Sequence, residues 1–110
     1  MILNKSSKVY VACPANMATG GPELLHQLVY KLNKFGINAY MYYYDAKQGV
    51  NPVHNEYKIY NNEYVDCIED NSDNIIIVPE VKTELINKNK KIQKVIWWLS
   101  VDNYFKSINS

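Results

Sequence analysis

The stretch VYVACPANMATGGPELLHQLVYKLNKFGINAYMYYY, Val9 to Tyr44, decides the fold. It opens with a short apolar run, Val9 to Cys13, and closes with another, Ile37 to Tyr44. Between them, from about Pro22 to Phe35, the apolar residues Leu25, Leu28, Val29, Leu32 and Phe35 recur at the spacing of one helical face. Gly36 follows where a helix wants a left-handed residue to stop. Strand, helix and strand at this spacing predict a right-handed βαβ unit, whose two strands lie parallel.

Two further apolar runs continue the pattern. Asn74 to Pro79 (NIIIVP) and Val95 to Leu99 (VIWWL) are almost unbroken, as expected of strands covered on both faces of a parallel sheet. The segment from Asp45 to Asp73 is long and polar. Its first part, DAKQGVNPVHNEY, predicts an exposed loop. Its second part sets Tyr60, Tyr64, Cys67 and Ile68 on one helical face and predicts a short helix. After Pro79, EVKTELINKNKK predicts a brief helix with Val81, Leu85 and Ile86 inward. After Leu99, Ser100 suits an N-cap, with Val101, Tyr104, Phe105 and Ile108 as the inward face. Four strands alternating with four helices define an α/β, Rossmann-like parallel sheet with helices on both faces, one domain over residues 1–110. Such a sheet, with one open edge, is a thin unit, and the expectation is a truncated part of a longer protein, with the edge free to pair with a second copy.

Composition narrows the function classes. With 47% apolar and 13% aromatic residues the chain has enough to bury a core. The net charge is +1 and all twelve basic residues are lysine, none arginine. Without the planar guanidinium fork, base-specific reading of nucleic acid is not expected. Cys13 and Cys67 form no CxxC pair and have no histidine at metal spacing, so two reduced, buried thiols are expected and no metal or other cofactor is called for. The start, MILNKSSKVYV, lacks the basic-then-apolar pattern of a signal peptide, and no apolar run reaches membrane-spanning length. A cytoplasmic location is the resulting expectation.

In open α/β sheets ligands sit at the carboxyl ends of the strands. The loop after the first run carries Thr19-Gly20-Gly21-Pro22-Glu23 into the helix. It is neither a P-loop, having no GK[ST], nor a GxGxxG fingerprint. Proline is tolerated in a first turn, the glycines permit close approach, and the first-turn N–H groups with the helix dipole favour an anion. Glu23 can equally occupy those donors itself and repel a phosphate. Residue chemistry leaves anion site and plain helix start level.

The segment GGPELLHQLVYKLNKFG, Gly20 to Gly36, resembles the start of bacterial GT-B glycosyltransferases, especially those of capsule and lipopolysaccharide assembly. IIIVPE, Ile75 to Glu80, and VIWWLSVDNY, Val95 to Tyr104, resemble that group in the same order, so the likeness spans nearly the whole chain. It implies two facing Rossmann-like domains, the N-terminal one holding the acceptor and the C-terminal one the nucleotide-sugar donor. Gly20 and Gly21 match the loop that reaches toward the donor diphosphate, and Thr19, Gly20, Gly21 and Glu23 are the residues implied to bind diphosphate or substrate. The expected activity is sugar transfer to a glycan or lipid-linked acceptor in surface-polysaccharide synthesis. The acidic donor-binding motif of the second domain is absent from these residues, so this chain alone is expected to be inactive. The rival reading is a non-catalytic Rossmann-like binding or partner-interaction module. A receiver-like domain would want acidic residues directly after its first strand, and CPANM has none.

The remaining candidates each have a plain reading beside the functional one. Glu80 suits acceptor hydroxyls or a helix cap; Asp102 suits a base, and more simply a helix first turn. These are the two candidate catalytic carboxylates. His26 reads first as a solvated or packing residue and His54 as exposed and inert. Trp97 and Trp98 read as core, one of them near enough to a strand end to stack on a sugar. Tyr42, Tyr43 and Tyr44 end a strand, with one or two side chains toward the cleft. Lys88, Lys90, Lys91 and Lys94 read as a solvated face, and alternatively as a peripheral contact with the anionic inner face of a membrane.

Overall fold

A computed structural model describes residues 5–17, 20–80, 82, 85 and 91–97. Its centre is a parallel sheet of five strands: β1 (Lys8–Pro14), β2 (Asn38–Tyr44), β3 (Tyr64–Val65), β4 (Ile75–Pro79) and β5 (Gln93–Trp97). Their spatial order is β3-β2-β1-β4-β5. The chain moves outward from β1 through β2 to β3, then returns to place β4 on the other side of β1. This is the Rossmann-like order, and the direction reverses between β1 and β4.

The βαβ unit forms as the sequence predicts. α1 runs Gly20–Lys34, two residues earlier than the apolar stripe alone requires, so both glycines lie inside its first turn rather than in a bend ahead of it. Leu25 and Val29 are fully buried, with Leu28 and Leu32 packed beside them against Val9, Val11, Cys13, Ala39 and Met41. Burying each of the two central residues stabilises the fold by about 2 kcal/mol. Phe35 departs from the predicted stripe and is 82% exposed. It lies at the edge of the helical face and just beyond Lys34, where the backbone turns away. The turn is a Schellman motif. Gly36 has φ 84°, its N–H donates to Asn33 O at 3.1 Å, and the Ile37 N–H donates to Leu32 O at 3.0 Å. Asn33 fastens the turn to β2: its Nδ2 donates to Val29 O and Ala39 O, and its Oδ1 accepts the Ala39 N–H.

The other face of the sheet carries Tyr10, Ala12, Ile76 and Val78, covered by Leu85 and Ile92. Leu85 is thus inward as expected; Val81 and Ile86, and the whole helix predicted after Leu99, lie outside the described residues.

Two expectations are corrected. The short helix predicted over Tyr60 to Asp70 is absent from that place. A 3-10 helix occupies Asn55–Tyr60 instead, followed by the two-residue strand β3, the fifth strand that the sequence did not announce. Tyr57, placed in an exposed loop by the sequence reading, is buried against α1 and anchors this segment. The second correction concerns VIWWL. β5 is half-buried only on alternate residues, with Val95 and Trp97 packed toward the α1 side and Ile96 38% exposed. The strands covered on both faces are the two inner ones, β1 and β4.

The amino ends of β1, β4 and β5 are joined by polar side chains. Buried Asn74 accepts the Lys8 N–H on Oδ1 at 2.9 Å and donates from Nδ2 to Glu69 O at 3.1 Å. One carboxylate oxygen of Asp70 accepts the N–H groups of both Lys91 and Ile92 at 2.8 Å. Lys8 Nζ meets Glu69 at 2.7 Å on the surface.

Candidate functional site

The strand order reverses between β1 and β4, and in open α/β sheets such a point, beyond the carboxyl ends of the strands, is where ligands bind. The loop after β1 and the first turn of α1 lie on one side of it, and Pro79 and Glu80 stand at the end of β4. The loop is held by the ladder it leaves. Ala15 N–H donates to Tyr44 O at 3.0 Å, and Asn16, with φ 56°, donates its N–H to Pro52 O at 2.9 Å. Loops after β1 and β2 are therefore tied together at the rim.

In the first turn of a helix the N–H groups lack partners within the helix. Gly20, Gly21 and Glu23 supply these donors, and Pro22 has none to lose. Thr19 lies outside the described residues. The Glu23 carboxylate is engaged elsewhere: Oε1 accepts from the Tyr60 hydroxyl at 2.6 Å and from Gln27 Nε2 at 2.9 Å. These two hydrogen bonds, Tyr60's first, hold its pKa below the usual carboxylate range. Glu23 so joins α1 to the 3-10 helix.

His26, one turn further on, is 2% exposed and built into a network that sequence reading did not foresee. Its Nδ1 lies 2.7 Å from Pro22 O and its Nε2 2.7 Å from the Tyr43 hydroxyl. A carbonyl oxygen only accepts, so Nδ1 carries a proton. Burial lowers the pKa, opposed by the Pro22 carbonyl and Glu23, and keeps the ring neutral near pH 7. Nε2 is then the acceptor, and Tyr43 donates. The imidazole also stacks on Tyr57, with centroids 4.1 Å apart and planes 20° apart. Burial raises the pKa of Tyr57 to about 12 and that of Tyr43 further. The packing reading of His26 therefore holds, but as a fully bonded member of a three-ring cluster. The signal was present in period two: with Tyr42 and Tyr44 on one face of β2, Tyr43 must face α1.

His54 is half-buried rather than exposed and caps the 3-10 helix, its Nδ1 accepting the Glu56 N–H at 3.1 Å. On the opposite face, a cavity of about 380 Å³ is lined by Tyr42, Tyr44, Asp45, Asp66 and Lys82. Lys82 Nζ sits 3.7 Å from Asp45 and 5.3 Å from the centre of the Tyr44 ring. This cation at the rim is a second residue that the sequence reading missed.

The other candidates are dispersed. Glu80 is half-buried at the end of β4. Asp102, Trp98, Lys88 and Lys90 lie outside the described residues, Lys91 is exposed just before β5 and Lys94 exposed within it, and Trp97 is half-buried against the core. Cys13 is buried as expected, its pKa pushed up to about 12 by burial, whereas Cys67 is exposed in a bend and corrects the expectation of two buried thiols. Among the described residues, no three His, Cys, Asp or Glu side chains gather as a metal would require, and no helix is long and apolar enough to cross a membrane.

No protein-family model, curated protein or solved structure matches this chain.

Proposed function

We propose that this chain is the acceptor-side, N-terminal Rossmann-like domain of a GT-B-type glycosyltransferase of surface-polysaccharide synthesis. The observation that carries the reading is the position of Gly20 and Gly21: they open α1 beside the point where the strand order reverses. In the intact enzyme a sugar passes from a nucleotide-sugar to a hydroxyl of a glycan or lipid-linked acceptor. Negative charge grows on the departing diphosphate, and preorganised N–H dipoles of the first turn stabilise it. Side chains larger than hydrogen at 20 and 21 would hold a diphosphate away from those donors. The donor nucleotide itself is held mainly by the second domain in this scheme.

Amide NMR of the chain titrated with pyrophosphate, UDP and GDP tests it. The expected result is weak, salt-sensitive binding that moves the Gly20, Gly21 and Glu23 amide signals, reduced in Gly21→Val. Tight, saturable binding of a nucleotide to this chain alone, or binding that leaves those amides unmoved, would overturn the assignment.

A further inference from the structure

Between α1, the 3-10 helix and the β2–β3 edge lies a cavity of about 310 Å³ that the glycine turn does not reach in sequence or use in chemistry. Its wall contains the His26–Tyr43 hydrogen bond and the ring of Tyr57. At its mouth stands Tyr64, 44% exposed and set edge-on to Tyr43 at 5.7 Å and 69°. The amides of Asn51, Asn61 and Asn62 line the rest, and Lys58 is the single ionic side chain among its lining residues.

Each feature narrows the ligand. The volume stands at the lower limit for small-molecule sites, roughly 300 Å³, so it admits one ring with few substituents. The aromatic walls present negative faces, and the Tyr43 hydroxyl has committed its proton to His26. Toward any further partner the Tyr43 oxygen can only accept, so the ligand must bring a donor. A phosphate or carboxylate brings none, and beside the Tyr43 oxygen it would set acceptor against acceptor. Asn62 Nδ2 already donates to His26 O, and Asn51 Oδ1 already accepts the Val53 N–H. A flat aromatic ligand would stack well but cover, without pairing, the asparagine groups not so used and the remaining lone pair of the Tyr43 oxygen, and such covering is costly. A ring with apolar C–H faces and hydroxyl edges satisfies both.

We propose that this cavity binds one neutral sugar ring, its C–H face laid on Tyr64, one hydroxyl donating to the Tyr43 oxygen and others meeting the asparagine amides. The inference stands on this cavity and not on the glycine turn. It goes beyond the transferase reading, because a carbohydrate-binding domain without transfer chemistry would need the same pocket.

The test is aromatic NMR of the full chain, titrated with glucose, galactose, mannose, N-acetylglucosamine and rhamnose, and then with disaccharides ending in each. Saturable shifts of the Tyr43, Tyr64 and His26 ring signals by at least one sugar are expected. Tighter binding of a disaccharide than of its terminal unit identifies a glycan chain end as the source; equal binding identifies the free sugar. Tyr64→Ala should weaken binding about tenfold or more, equivalent to about 1.4 kcal/mol. Tyr43→Phe should erase discrimination between the preferred sugar and its deoxy analogue, while Phe35→Ala, at an exposed site outside the cavity lining, leaves binding unchanged. The proposal is overturned if no sugar moves these signals up to its solubility limit, or if inorganic phosphate or UDP moves them more strongly. The titration of the unmodified chain decides this even where a variant does not fold.

Discussion

At the amino ends of β1, β4 and β5 the polar side chains are spent on the chain's own backbone. Asn74 and Asp70 together take up the N–H groups of Lys8, Lys91 and Ile92, and Asn74 returns a donor to Glu69. At the carboxyl ends the chemistry differs. Tyrosine rings, a bonded histidine and asparagine amides surround cavities, and the first-turn donors of α1 face outward from a helix end. Both ends belong to one sheet, only five to seven residues apart along β1, β2, β4 and β5. On the proposed reading, stability and recognition are divided between the two ends: substitutions at one should lower the denaturation midpoint, and at the other should lower ligand affinity.

The largest effect should come where the division is weakest. Tyr57 belongs to the carboxyl side yet is buried in the stack with His26. Tyr57→Ala should cost about 3–5 kcal/mol in chemical denaturation, as large aromatic deletions do, and should detach the 3-10 helix from α1. A loss under about 1 kcal/mol would mean that this segment packs independently of the core. At the amino end, Asn74→Ala leaves the Lys8 N–H and Glu69 carbonyl without their side-chain partner. It should cost about 2–3 kcal/mol while leaving the rings at the carboxyl end unshifted in NMR spectra.

A smaller effect follows from protonation. His26 has a folded-state pKa below its ordinary value near 6.5, mainly because it is buried. The unfolded chain therefore binds the proton more readily. Stability should be fully present above pH 6.5, decline as the pH falls through that value, and level off below the lowered folded pKa. Thermal melts from pH 8 to 5 measure the slope, and His26→Gln should flatten it. Persistence of the full slope in that variant would assign it to another group.

The smallest effect tests surface against interior. Lys8→Ala should leave the midpoint unchanged within error, because its ion pair with Glu69 is exposed and screened. Thiol labelling separates the cysteines in the same spirit: Cys67 should react at once under native conditions and Cys13 only on unfolding.

What could be read from the sequence depended on length and period. α1 repeats its apolar face over four turns and ends at a glycine, so strand–helix–strand was legible before any coordinates. The 3-10 helix and β3 are too short to repeat anything. Tyr60, Tyr64, Cys67 and Ile68 fall at helical spacing by coincidence: Tyr64 and Cys67 are exposed, and Tyr60 and Ile68 are half-buried against separate neighbours. The position of β5 at the edge of the described strands was illegible for another reason: VIWWL states hydrophobicity but not which strands flank it. For the site, the glycines were visible because their type is unusual. The His26–Tyr43–Tyr57 cluster joins residues 17 and 31 positions apart (26 to 43 and 26 to 57), a proximity only tertiary structure creates.

The two hydrogen bonds that tie the loop after β1 to Tyr44 and Pro52 have a kinetic meaning. Ala15 and Asn16 amides cannot exchange with solvent unless the rim separates there, and that separation exposes the approach to both the helix end and the tyrosine-lined side of β2. Their exchange rates thus act as a clock for a shared opening event. A ligand seated at either place would slow the same two protons, making one pair of amides a reporter for the whole rim.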